Sequence, residues 1–93
     1  MSQLQTRILK QARTAIATGQ TRLICHALDQ IAAGDHRRTV QQACRDLERA
    51  FKQGLDGSAT LASYLAVRGL KPSHHTLTLA RLAWIDRTLE TLQ

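Results

Sequence analysis

The stretch Leu77-Thr78-Leu79-Ala80-Arg81-Leu82-Ala83-Trp84-Ile85-Asp86-Arg87-Thr88-Leu89-Glu90-Thr91-Leu92 places apolar residues every three or four positions around the chain's only tryptophan. That spacing is the signature of an amphipathic helix. Leu77, Ala80, Trp84, Ile85, Thr88, Leu89 and Leu92, with Leu82 at the margin, form a face wider than any other in the chain. A helix with so wide an apolar face is expected to be the central or most shared one. Upstream, Lys71-Pro72-Ser73 enforces an extended step, because the residue before proline is disfavoured in helical geometry. Ser73 then stands where a capping hydroxyl belongs.

The rest of the chain shows the same period, punctuated by Gly19, Gly34, Gly54, Gly57 and Gly69. Glycine just past a periodic segment adopts the left-handed closing conformation at least cost. The punctuation predicts a first helix over Ser2 to Ala17, with Leu4, Ile8, Ala12 and Ala15 inward and Leu9 and Ile16 at the margin. A second, over Thr21 to Ala33, carries Ile24, Ala27, Leu28 and Ile31 and closes at Gly34. The third, over Arg37 to Gln53, carries Val40, Ala43, Cys44, Leu47 and Phe51. Leu55-Asp56-Gly57-Ser58 reads as a turn, with Ser58 capping a short fourth helix through Arg68 whose inner side is Leu61, Tyr64 and Leu65. The expectation is an all-α fold, a compact bundle of about five helices, four longer and one short, with residues 1–93 as one helical domain.

Composition agrees with helices. Hydrophobic residues make up 43% of the chain but aromatics are only Phe51, Tyr64 and Trp84, so the interior must be built from Leu, Ile and Ala. The formal net charge of +6 argues against an acidic mimic of nucleic acid and for an anionic partner. Arginine supplies 10 of the 13 cations, which favours bidentate pairing with carboxylate or phosphate over simple point-charge attraction. The start Met-Ser-Gln-Leu-Gln-Thr-Arg lacks the apolar segment of a secretion signal, and no apolar run is long enough to span a bilayer. A cytoplasmic site of action is expected, with Cys25 and Cys44 as reduced, structural thiols.

The residue types for metal binding are present in the wrong places. Cys25 and His26 are neighbours about 100° apart on a helix, and His74-His75 has no cysteine or carboxylate at short ligand spacing. No metal and no cofactor is expected. Nucleophilic catalysis needs a thiol or hydroxyl beside a base, yet Cys44 lies on an apolar stripe and Cys25 cannot face its neighbour His26. Asp46 and Glu48 diverge on their helix, and Asp86 and Glu90 have Arg87 beside them to neutralise the pair. The glycines are isolated, so no phosphate-cradling loop is present. With each of these constellations missing a partner, the expectation is a protein that is not an enzyme.

Basic faces are the more specific signal. Arg38, Arg45, Arg49 and Lys52 fall within about 60° of arc, opposite the Val40, Cys44, Leu47, Phe51 stripe and nearly free of acids. Arg7, Lys10 and Arg13 line the outer side of the first helix. These seven cations are the candidate binding residues. A solvated helix face is the plain reading of any one such stripe, since soluble helices carry charge outward. A helix-turn-helix over Thr60 to Ala80 fits poorly: Leu65 stands where the motif wants a small residue, Arg68 where it wants an apolar one, and Pro72 lengthens the turn.

Arg22-Leu23-Ile24-Cys25-His26-Ala27-Leu28 together with Ala80-Arg81-Leu82-Ala83-Trp84-Ile85-Asp86 resembles a set of small phage and prophage proteins of uncharacterised activity. Those proteins share an Ile-Cys-aromatic-or-His-Ala-Leu segment and a terminal Arg-x-Ala-Trp-Ile-Asp helix, and the resemblance spans Thr21 to Leu92. It implies a protein of the bacterial host cell that binds and disables or redirects a host machine. The expected function is therefore a non-enzymatic accessory protein that inhibits or modulates a host or defence protein, or a nucleoprotein complex, through its arginine-rich face. The alternative is a small nucleic-acid-binding helical protein that uses the same cations on phosphates. A homo-oligomer is compatible with either, and no membrane partner is expected.

Overall fold

The periodic segments fold as α-helices joined by short connections: α1 (Ser2–Ala17), α2 (Ile24–Gly34), α3 (Arg38–Arg49), α4 (Gly57–Val67) and α5 (His74–Leu92). A π-helical turn, Ala50–Gly54, prolongs α3. The computed structural model describes the backbone of residues 2–54 and 57–92 and the side chains of 3–52 and 61–92. The fold is an all-α bundle, with no strand among the described residues. Leu55 and Asp56, half of the turn expected before α4, lie outside them. Ser58 falls inside α4 rather than before it, so it does not occupy the capping position expected of it.

Two glycines close helices as their positions require. Gly19, at φ 79°, follows α1, and its N–H reaches the Ile16 carbonyl while that of Gln20 reaches Ala15. Gly69, at φ 65°, does the same after α4, with Leu70 N–H on the Leu65 carbonyl at 2.9 Å. Both are the paired closure in which a left-handed residue turns the last carbonyls inward. Gly34 behaves differently. It is the last residue of α2, and the chain leaves through an extended Asp35 at φ −142°. Gln41 takes over the closing role, its side-chain amide donating to the carbonyls of Ala32 and, at 2.8 Å, Asp35.

At the start of α5 the cap expected from Ser73 is present in reciprocal form. The Thr76 N–H donates to Ser73 Oγ at 3.1 Å and the Ser73 N–H donates to Thr76 Oγ1 at 2.9 Å. Threonine thus serves where glutamate or glutamine usually completes the box. Helix α2 has no such device, since Leu23 precedes it and makes no side-chain cap. It also begins three residues later than its periodicity predicts, because Thr21 to Leu23 belong to the connection.

The core joins Ile8, Leu9, Ala12 and Ile16 of α1 to Ile24, Ala27 and Leu28 of α2, Val40, Ala43, Cys44 and Leu47 of α3, and Trp84 and Ile85 of α5. Leu9 is fully buried and Ile16 nearly so, although both were expected at the margin of their stripe. The reason is that α1 packs against α2, α3 and α5, so a wider arc of it is covered than one facing helix would cover. Helix α1 therefore takes the central place that the broad face of α5 predicted for α5. Helix α5 serves as the bridge between α1 and the outlying α4, whose Leu61 and Leu65 are buried and whose Tyr64 is half-buried.

After Arg49 the chain changes from α to π geometry, which adds a residue to the turn and rotates everything beyond it. Phe51, inside that turn, meets Trp84 edge-on with ring centroids 4.9 Å apart and planes at 80°. That is a favoured aromatic geometry. Trp84 is 1% exposed. Trp84→Ala should lower stability by about 3–5 kcal/mol through the lost burial and the cavity left behind. Urea denaturation of the two proteins measures this, and a midpoint near the parent's would place the ring outside the structural core.

Candidate functional site

Sequence spacing puts Arg38, Arg45 and Arg49 on one side of α3, and the buried side chains of Val40, Cys44 and Leu47 hold the other side inward. All three arginines are exposed. Among the described residues none has a carboxylate within salt-bridge distance. Lys52 is exposed too, but it belongs to the π turn, which advances less than an α-turn per residue and rotates it off the arginine line. Its charge instead favours ionisation of Cys25 and Glu48, on the side of α3 that faces α2. The ridge is therefore three arginines, with Lys52 displaced toward α2.

The first-helix cations do not form one patch. Arg13 pairs with Asp86 of α5, Nε to Oδ1 at 2.7 Å and a second contact at 3.2 Å, and the carboxylate raises the arginine pKa further. Arg13 is thus committed to holding α1 against α5, and Asp86 is neutralised by it rather than by Arg87 as its own helix predicts. Arg7 lines a depression with Asp35 and Arg37, at the corner where α3 begins. There the Arg37 guanidinium, 2.6 Å from Asp35, holds that carboxyl down at about 2. Lys10 is exposed and lines a second hollow with Gln3, Thr6 and Leu92, which Arg7 also borders. The fold so places Arg7 near the start of the α3 ridge and leaves Lys10 and Arg13 apart from it.

Two features escaped the sequence. Glu48 of α3 and Asp29 of α2 face each other across the helix seam, and burial together with the Asp29 carboxyl pushes Glu48 up to about 7. The pair was not legible because it depends on the rotation of one helix against another. Cys44 is buried and Cys25 half-buried in the same region, and burial pushes both thiols up, which keeps them protonated and weakly nucleophilic. Among the described residues no group of three or more histidine, cysteine or acidic side chains is arranged to hold a metal ion.

The second feature is a groove where the α1–α2 connection meets the first turns of α2 and α5. Arg22 and His26 enter it from one side, His74 and Arg81 from the other. These residues come from, or adjoin, the two separate motifs near the chain's ends, and only the packing of the bundle brings them together. His74 and His75 are exposed, as a first-turn position predicts.

No family model, curated protein or solved structure matches the chain. No described helix is long and apolar enough to cross a membrane.

The seam carboxyls make a pH test available. Folded Glu48 binds a proton more tightly than its ordinary value of 4.5 would allow, so it favours the folded state at low pH. That contribution is lost as pH rises from about 4.5 through about 7. Denaturant midpoints across this range should therefore fall more steeply for the parent protein than for Glu48→Gln, which removes the titrating carboxyl at nearly the same size. Parallel curves for the two proteins would show that Glu48 titrates at its ordinary value in the folded state.

Proposed function

We propose that this protein is a non-enzymatic binding module that docks on an anionic protein surface through Arg38, Arg45 and Arg49. The observation that carries this reading is the exposure of three guanidinium groups on one face of α3, none in a salt bridge among the described residues. Guanidinium forks on a rigid helix lose little freedom on pairing and suit carboxylate recognition, while their charge accelerates encounter. The rest of α3 serves as a platform, because the opposite face is locked into the core.

The resemblance of the Arg22–Leu28 and Ala80–Asp86 segments to small phage and prophage proteins supplies the biological setting of the proposal. In that setting the protein works in the host cytoplasm as an anti-defence type of inhibitor or modulator, and its target is a host or defence protein or a nucleoprotein complex. A direct grip on nucleic acid is the competing outcome of the same test. Single-strand binders rely on exposed aromatic platforms, whereas Trp84 is buried, Phe51 packs on it, and the Tyr64 ring lies under its own Arg68 at 3.8 Å.

The combined Arg45→Glu and Arg49→Glu variant decides between them. Its unfolding midpoint should stay within about 0.5 kcal/mol of the parent, as for surface substitutions generally. Partner capture from nuclease-treated host lysate should be lost, while the parent binds duplex DNA only weakly at physiological salt. Tight binding of naked DNA by the parent, falling linearly on a log–log salt plot and weakened by the same reversal, would overturn the protein-docking reading.

A further inference from the structure

We infer that the groove between the α1–α2 connection and the first turns of α2 and α5 is a binding site for a phosphate monoester. Four cationic or proton-donating side chains, Arg22, His26, His74 and Arg81, reach it from three parts of the chain, and no carboxylate is among its described lining residues. Both salt bridges of the described chain lie elsewhere. Arg81 is only part-exposed, and burial alone lowers its pKa, with no acid beside it to offset the loss of water. A half-buried guanidinium without a counter-charge is costly unless an anion joins it.

The backbone points to the same ligand. Helix α2 has 11 residues and starts without a side-chain cap, so the N–H groups of Ile24, Cys25 and His26 have no intrahelical acceptor. Such an end attracts an oxyanion through its free donors and its partial positive charge. The neighbouring end of α5 is closed by Ser73 and Thr76, so the open donors belong to α2. A second, independent sign is Thr21, which lines the groove, is 6% exposed, and holds a buried hydroxyl with no hydrogen-bond partner. Buried hydroxyls without a partner are rare in folded proteins, and turning the Thr21 side chain toward the groove would give this one a bound oxygen atom as its partner.

The walls add specificity for an ester. Leu23, 53% exposed, and the part-buried Leu77 line the groove together with the cations. An apolar group carried by the phosphate would cover Leu23, whose exposure is otherwise unfavourable. The site lies on α2 and α5, away from the arginines of α3, and is independent of the docking function proposed for them.

The test is a 1H–15N NMR titration of the full chain with inorganic phosphate and with phenyl phosphate, against sodium chloride at equal ionic strength. Saturable shifts should be confined to the N–H groups of residues 21–26 and of His74, Leu77 and Arg81, with phenyl phosphate binding the tighter. Arg22→Gln and Arg81→Gln should each weaken binding about tenfold, the loss of one charge-assisted hydrogen bond. Arg45→Gln should leave it unchanged. Arg22 is exposed, so its variant remains informative even if loss of Arg81 disturbs folding. Shifts that chloride reproduces, that fail to saturate, or that weaken equally with Arg45→Gln would overturn the site. Phenyl phosphate binding no tighter than inorganic phosphate would overturn its assignment to an ester.

Discussion

The seating of Trp84 against Phe51 is the interaction on which the bundle depends, because it is the point where the last helix closes over the turn that ends α3. A chain with three aromatic residues has few side chains large enough to fill space between helices, and the rest of the core is Leu, Ile, Val and Ala with Cys44. Removing the indole would leave a volume that those smaller side chains cannot fill without moving whole helices. The indole N–H is buried without a partner among the described residues, at a cost of about 1–3 kcal/mol. The ring is retained in spite of that cost, so packing rather than hydrogen bonding holds it there. The π turn is the local accommodation, since it presents Phe51 to Trp84 after α3 has aligned its own stripe with α1 and α2.

Charge is arranged around this core in two ways. Some cations are used internally: Arg13 ties α1 to Asp86 of α5, and Arg37 holds Asp35 at the corner between α2 and α3. Both pairs are largely exposed, so water screens them and each adds little to stability, and their main effect is to fix where the helices meet. Others stay unpaired among the described residues, in the ridge of α3 and in the groove beside Thr21. That division matters for function. A cation already paired contributes little to a partner, because the partner must first displace its carboxylate, whereas an unpaired guanidinium offers its full charge.

The seam between α2 and α3 illustrates a different compromise. Glu48 and Asp29 meet there at the edge of the core, near two thiols that burial keeps protonated. A carboxyl raised to about 7 destabilises the helix pair when it ionises, and Lys52 offsets only part of that. The seam consequently responds to pH near neutrality, while the contact of α1 with α5 is made by apolar side chains and the Arg13 bridge.

What the sequence determined by itself was local. Apolar period and glycine punctuation located five helices, Gly19 and Gly69 their left-handed closures, Ser73 its cap, and the α3 stripe its outward arginines, because each depends on residues within a turn or two of one another. One-dimensional reading misplaced some helix starts and missed the π turn, and its other failures involve a second element. Leu9 and Ile16 are core because α1 touches three helices, Lys52 leaves the ridge because a π turn intervenes, and Arg13 is spent on a carboxylate 73 residues away. The Asp29–Glu48 seam and the convergence of Arg22 and His26 with His74 and Arg81 are decided by how helices rotate against each other. Helical periodicity tells which side of a helix is buried but carries no information on which other helix will bury it, and that choice belongs to tertiary packing alone.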